Sequence, residues 1–140
     1  MTGSEAAMHH LFTLRVYYED TDLAGVVYYA NYLKFIERAR SEWVRELGVD
    51  QRAMKEGAGL VFAVRRVEAD YLAPARHDDE LVVDSRVESA GRAQITLRQE
   101  VWRGQERLFS ALVSIVCLDL QGRPRRLPPE LAPMAAAGRK

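Results

Sequence analysis

The chain has 140 residues, 48% of them hydrophobic, and its 20 basic side chains are balanced by 20 acidic ones. That length and apolar share suit one domain with a core of its own and exclude a chain disordered by composition. Zero formal net charge argues against a dedicated nucleic-acid binder, and no apolar run reaches the ~18 residues of a membrane span.

The opening MTGSEAAMHHLFTLR lacks the basic start and apolar run of a signal peptide. A single cysteine, Cys117, cannot form an internal disulfide, so a reducing, cytoplasmic setting is expected. Residues 1–10 are small and polar and are expected to fray. Phe12 to Tyr18 reads as the first strand, with Phe12, Leu14 and Val16 alternating against Thr13, Arg15 and Tyr17. The strand breaks at Asp20-Thr21-Asp22-Leu23-Ala24-Gly25, and one long helix follows, with Asn31 as its expected cap. Tyr32, Ile36, Ala39, Trp43 and Leu47 recur at three- and four-residue steps, and Phe35 falls off that stripe. Arg38 and Glu42 are spaced to pair on the exposed side, and Gly48 closes the helix.

A carboxylate at a strand-to-helix junction is chemically suggestive. The first N–H groups of a helix lack partners within it. They can steady a developing oxyanion while the carboxylate acts on a carbonyl.

Gly48 to Gly59 reads as a connector with a short helix near Gln51–Lys55. Strands are predicted at Leu60 to Leu72, Glu80 to Glu88, Gln94 to Trp102 and Arg107 to Leu118, joined mostly by short turns. Residues 121–140, rich in Pro, Ala and Arg, read as a loosely packed tail. The whole chain, 1–140, is expected to form a single α+β domain, a five-stranded antiparallel sheet around one long helix. The last strand, FSALVSIVCL, is apolar on both faces, so its outer side should also be covered, by another subunit or by the tail.

The block Asp20-Thr21-Asp22-Leu23-Ala24-Gly25-Val26-Val27-Tyr28-Tyr29-Ala30-Asn31-Tyr32 resembles the signature of hotdog-fold acyl-CoA thioesterases. The likeness is to the YbgC-like, 4-hydroxybenzoyl-CoA thioesterase-like branch. Tyr71-Leu72-Ala73-Pro74-Ala75-Arg76, followed by Asp79-Glu80-Leu81, resembles the same branch. The resemblance implies hydrolysis of a short-chain or aromatic acyl-CoA to the free acid and CoA. It places Asp22 as nucleophile or general base, the backbone N–H of Tyr29 as oxyanion donor, and Gly25 at the turn before it. It puts Val27 and Tyr32 in the substrate site, with Arg65 and Arg92 as cations for the CoA phosphates. Where many members carry a histidine, this chain has Tyr29, which leaves only the N–H. The hairpin that is basic in the 4-hydroxybenzoyl-CoA branch keeps only Arg92 here. The resemblance further implies a homo-oligomer, a dimer or a dimer of dimers, with acyl carrier protein as an alternative carrier of the acyl group.

Simpler roles apply elsewhere. Asp20 reads as a turn former, Glu37 and Glu42 as surface residues, and Cys117 as an inert buried thiol. No cofactor is expected, and with no second His or Cys at ligand spacing no metal is expected. The rival readings are a non-catalytic acyl-carrier or envelope-machinery binding module on the same fold, and a dehydratase using His77.

Overall fold

The computed structural model describes residues 9–137. Five strands, β1 (His9–Arg15), β2 (Leu60–Tyr71), β3 (Glu80–Ala90), β4 (Gln94–Arg103) and β5 (Glu106–Asp119), form one antiparallel sheet in the order β1-β3-β4-β5-β2. Helix α1 (Asn31–Glu46) packs on the concave face, joined by α2 (Gln51–Ala58) and a last short helix, α3 (Ala132–Ala137). This is the expected five-stranded sheet wrapped around one central helix. The β3–β4 and β4–β5 pairs are tight hairpins, and β1 and β2 are the two edges.

Helix α1 buries Tyr32, Phe35, Ile36, Ala39 and Trp43. Phe35 was placed off the stripe, yet it is fully buried, because the curled sheet encloses more of the helix than one face. Glu42 pairs with Arg45 at 3.1 Å, not with Arg38, whose guanidinium lies 6.0 Å from the Phe35 ring centre. In β5 the register slips, so that Val101 faces Phe109 and Trp102 faces Arg107. Leu108 is the extra residue of this bulge, and both it and Phe109 are fully buried. The outward side chains Leu112, Val116 and Leu118 are half-buried, since β5 sits between β4 and β2.

Two expectations about the chain ends need correction; residues 1–8 and 138–140 lie outside the described residues. His9 and His10 belong to β1, which starts earlier than Phe12 and ends at Arg15. The His10 ring stacks on Trp43 at 5.9 Å, which supplies the burial its polar type hides. The C-terminal segment is not loose between residues 127 and 135. Leu127, Leu131, Met134 and Ala135 are buried against Trp43, Ile95 and Leu97, and Leu127 N–H donates to Arg92 O at 2.8 Å. Short helix α2 runs to Ala58, three residues beyond the expected Lys55, with Asp50 as its cap. Cys117 is buried, and burial pushes its thiol pKa up, in keeping with an inert role.

Candidate active site

After β1 the chain makes a 3-10 turn at Tyr18–Asp20 and then a narrow antiparallel loop. Asp22 N–H donates to Val26 O at 2.9 Å, and Tyr28 N–H donates to Asp20 O at 3.0 Å. Gly25 turns the loop at φ +78°, a conformation that glycine adopts without strain. No atom lies within 4 Å of a Cβ added there, so the backbone angle, not close approach by a neighbour, demands the glycine. The Asp20 carboxylate is buried and accepts Tyr17 N–H at 2.8 Å, while Asp20 O also takes the Asn31 amide at 2.9 Å. Asp20 is therefore a brace, and Asn31 ties the helix start to it instead of capping the helix. Asp22 is exposed, and its Oδ1 accepts Ala24 N–H at 2.9 Å. Its second oxygen has no partner among the described residues.

At the start of α1, Asn31 N–H donates to Tyr28 O at 2.8 Å. The N–H groups of Tyr29 and Ala30 reach no acceptor among the described residues. The helix thus opens with two orphan donors, and the ladder that pairs residue 22 with 26 and 20 with 28 ties the Asp22 loop to this helix start. A chain that folds this way presents a free carboxylate oxygen on the loop that leads into a positive dipole end.

The second sequence block docks against the first. Val27 N–H donates to Ala75 O at 2.8 Å, Val26 bridges Arg76, and the Tyr32 hydroxyl accepts Ala75 N–H at 3.0 Å. Val27 and Tyr32, read as substrate-binding, are 5% and 3% exposed and belong to the core. They hold the two blocks together and offer a ligand little surface within one chain. Tyr71 opens the second block, and its ring joins the helix start to the core. Its ring lies 6.0 Å from Tyr29, 5.7 Å from Tyr32 and 5.1 Å from Phe109, and Tyr32 stacks on Phe109 at 5.0 Å. An aromatic relay therefore runs from the exposed helix start into the core. Burial pushes the Tyr32 and Tyr71 phenols above their ordinary pKa, so both stay neutral at physiological pH.

Arg65 and Arg92 are not brought to Asp22 within one chain. Arg65 sits at the β2 bulge, bonded to Gln94 Oε1 at 3.0 Å, and Arg92 lies in the β3–β4 turn. Tyr71, at the Asp22 end of β2, is roughly 20 Å further along at ~3.3 Å per residue. Arg76 is the arginine whose backbone adjoins the Asp22 loop.

Asp79 locks the second block. Partial burial raises its pKa, but the Arg76 N–H at 2.8 Å and Arg103 at 2.7 Å outweigh that, and the net shift is downward. A lowered folded-state pKa means that the unfolded chain takes the proton first as pH falls. The Asp79 contribution is thus complete above the ordinary aspartate value of ~3.9 and is lost as pH drops through the lowered value. Asp79→Asn should lower Tm at pH 7 and leave little difference from wild type near pH 2, as measured by thermal unfolding across pH.

A family model described as the thioesterase superfamily matches residues 24–110, from the end of the Asp22 loop through α1, α2 and β2–β4 to the start of β5. The chain belongs to the thioesterase superfamily. It is 41% identical over 121 residues to the acyl-CoA thioesterase YbgC of Haemophilus influenzae, covering 86% of this chain and 89% of that protein. It is 40% identical over 117 residues to the acyl-CoA thioester hydrolase YbgC of Escherichia coli O6:H1, covering 82% and 87%. The crystal structure of a probable thioesterase from Bartonella henselae superposes with a TM-score of 0.82 at 38% identity, covering 86% of this chain and 99% of that one. This thioesterase is accordingly a thioester hydrolase, and the reading as a non-catalytic binding module is not favoured. No helix among its described residues is long and apolar enough to cross a membrane.

Proposed function

We propose that this thioesterase hydrolyses a short-chain or aromatic acyl-CoA in the cytoplasm, releasing the carboxylic acid and CoA. The observation that carries the reading is the free oxygen of Asp22 on the loop that leads directly into the unpaired Tyr29 N–H at the helix start. As nucleophile, the Asp22 oxygen bonds to the acyl carbon and the C–S bond breaks. CoA leaves as thiolate and takes a proton, and water then hydrolyses the mixed anhydride. As general base, Asp22 takes a proton from water, whose oxygen bonds to the same carbon; the C–S bond then breaks, and the CoA thiolate leaves and takes up that proton. In either route the carbonyl oxygen gains charge and accepts the Tyr29 N–H. The aromatic relay under Tyr29 gives the acyl group an apolar surface.

Asp22 is open to solvent in a single chain, so the site is completed by a second copy. Edge strand β2 supports this. Its concave-side residues Val64 and Val67 are 48% and 39% exposed, next to Tyr71, and its outer backbone edge is unpaired within the sheet. Pairing of two β2 edges would cover these side chains and bring the partner's basic groups, such as its copies of Arg65 and Arg92, toward Asp22. Such dimers would in turn pair into a tetramer. A charge set into this edge, Val67→Glu, should yield monomers by light scattering and an activity loss of ~10-fold or more. An oligomer of wild-type size would remove the support from β2. The substrate reading itself is tested by a hydrolysis screen of the wild type. The panel varies chain length and aromaticity and includes acyl groups on acyl carrier protein. Highest kcat/KM on long-chain substrates would overturn it.

A further inference from the structure

A cavity of about 140 Å³ lies between the second half of α1 and the sheet, away from the Asp22 junction. Trp43, Phe62, Ile95, Ile115 and Met134 wall it. Its polar side is Glu37, Arg40 and Ser41 on α1, with Gln51 from α2. Arg40 stands roughly 14 Å along the helix from Asn31 at ~1.5 Å per residue.

Arg40 is the anomaly. It is half-buried, and among the described residues no carboxylate lies within ion-pair distance of it. Glu37, one turn earlier, accepts a hydrogen bond from Ser41 Oγ at 3.0 Å and stays exposed. Among the described residues the side-chain partner of Arg40 is neutral, the Gln99 Oε1 at 2.9 Å. Gln99 is fully buried and is itself fixed, donating to Ile36 O at 3.0 Å and to Ser85 Oγ at 2.9 Å. The guanidinium is therefore held rigidly at the wall of an apolar space with donors to spare. Burial lowers its pKa, opposed by Glu37, as expected of a cation that lacks its counter-ion. Charged groups this desolvated are normally paired.

We propose that the Arg40 cavity binds a small apolar carboxylate, with its hydrocarbon body among Ile95, Ile115 and Met134 and its carboxylate on Arg40. The size fits: a dry cavity of ~150 Å³ takes a benzene ring. A planar guanidinium matches a carboxylate with two parallel hydrogen bonds. The inference rests on the thioesterase reading in one respect, that such an acid is what the reaction releases. In the thioester the acyl carboxyl is tied to sulfur and offers no anion, so the cavity distinguishes free acid from substrate.

Titration calorimetry of the full chain with hexanoate and benzoate, against hexanamide and benzamide, tests the site without turnover. The carboxylates should bind at least ~10-fold more tightly than the amides, and Arg40→Met should abolish the difference. Arg40→Lys, which keeps charge without the fork, should restore part of it. Because Arg40→Met leaves Gln99 short of a partner, Val64→Phe gives a second test. It narrows the cavity at a half-exposed position and should weaken hexanoate at least ~10-fold with Arg40 and Gln99 intact and the oligomer of wild-type size by light scattering. Equal binding of acid and amide, unchanged binding in both variants, or no binding of either acid would each overturn the proposal. Acyl-CoA hydrolysis measured on the same samples reports separately on the thioesterase reading.

Discussion

Asp22→Ala is expected to lower kcat at least ~100-fold on every acyl-CoA that the wild type hydrolyses. The fold should survive. Asp22 is exposed, and among the described residues its side chain holds only the nearby Ala24 N–H, so Tm should move by no more than a few degrees. Asp22→Asn keeps the shape and removes the charge, and it should be nearly as inactive if the carboxylate is nucleophile or base. Steady-state kinetics beside circular dichroism separates the two effects. An alanine variant with wild-type kcat would show that the helix end alone drives the reaction, and the assignment of Asp22 would fall.

Phe109→Ala carries the largest expected stability loss. The ring is fully buried, stacks on Tyr32 at 5.0 Å and meets the Tyr71 edge at 5.1 Å. Removing a ring of this kind costs about 3–5 kcal/mol, since the bulged strand cannot collapse fully into the gap. For a domain of this size that corresponds to a Tm drop of roughly 10–15 °C. Tyr32 and Tyr71 lose their backing together, so KM should rise as well. A Tm within about 3 °C of wild type would mean that the relay does not support the site.

The parts of the fold legible in the sequence are those where polarity and periodicity agree. The α1 stripe, the strand alternation and the glycine break at residue 25 are all of this kind. Phe35 escaped because a single-face reading cannot anticipate a sheet that wraps further round the helix. His10 and Gln99 escaped because their types suggest solvent, whereas one stacks on Trp43 and the other saturates its amide in the core. Leu127, Leu131 and Met134 do carry helical spacing, but prolines, alanines and arginines around them dilute the signal. The docking of the two motif blocks on each other through Ala75 follows from the structure alone. Arg65 and Arg92 could not be placed from sequence, because distance along a sheet depends on register that only the pairing reveals.

The C-terminal residues that roof the Trp43 cluster share no core cluster with the Asp22 junction. Substitution at Leu127, Leu131 or Met134 would remodel the lining of the Arg40 cavity while the Asp22 junction stays as it is. Evolution could therefore alter what one end of the molecule senses without retraining the other, because the two cores hold separate side chains along the same helix and strands.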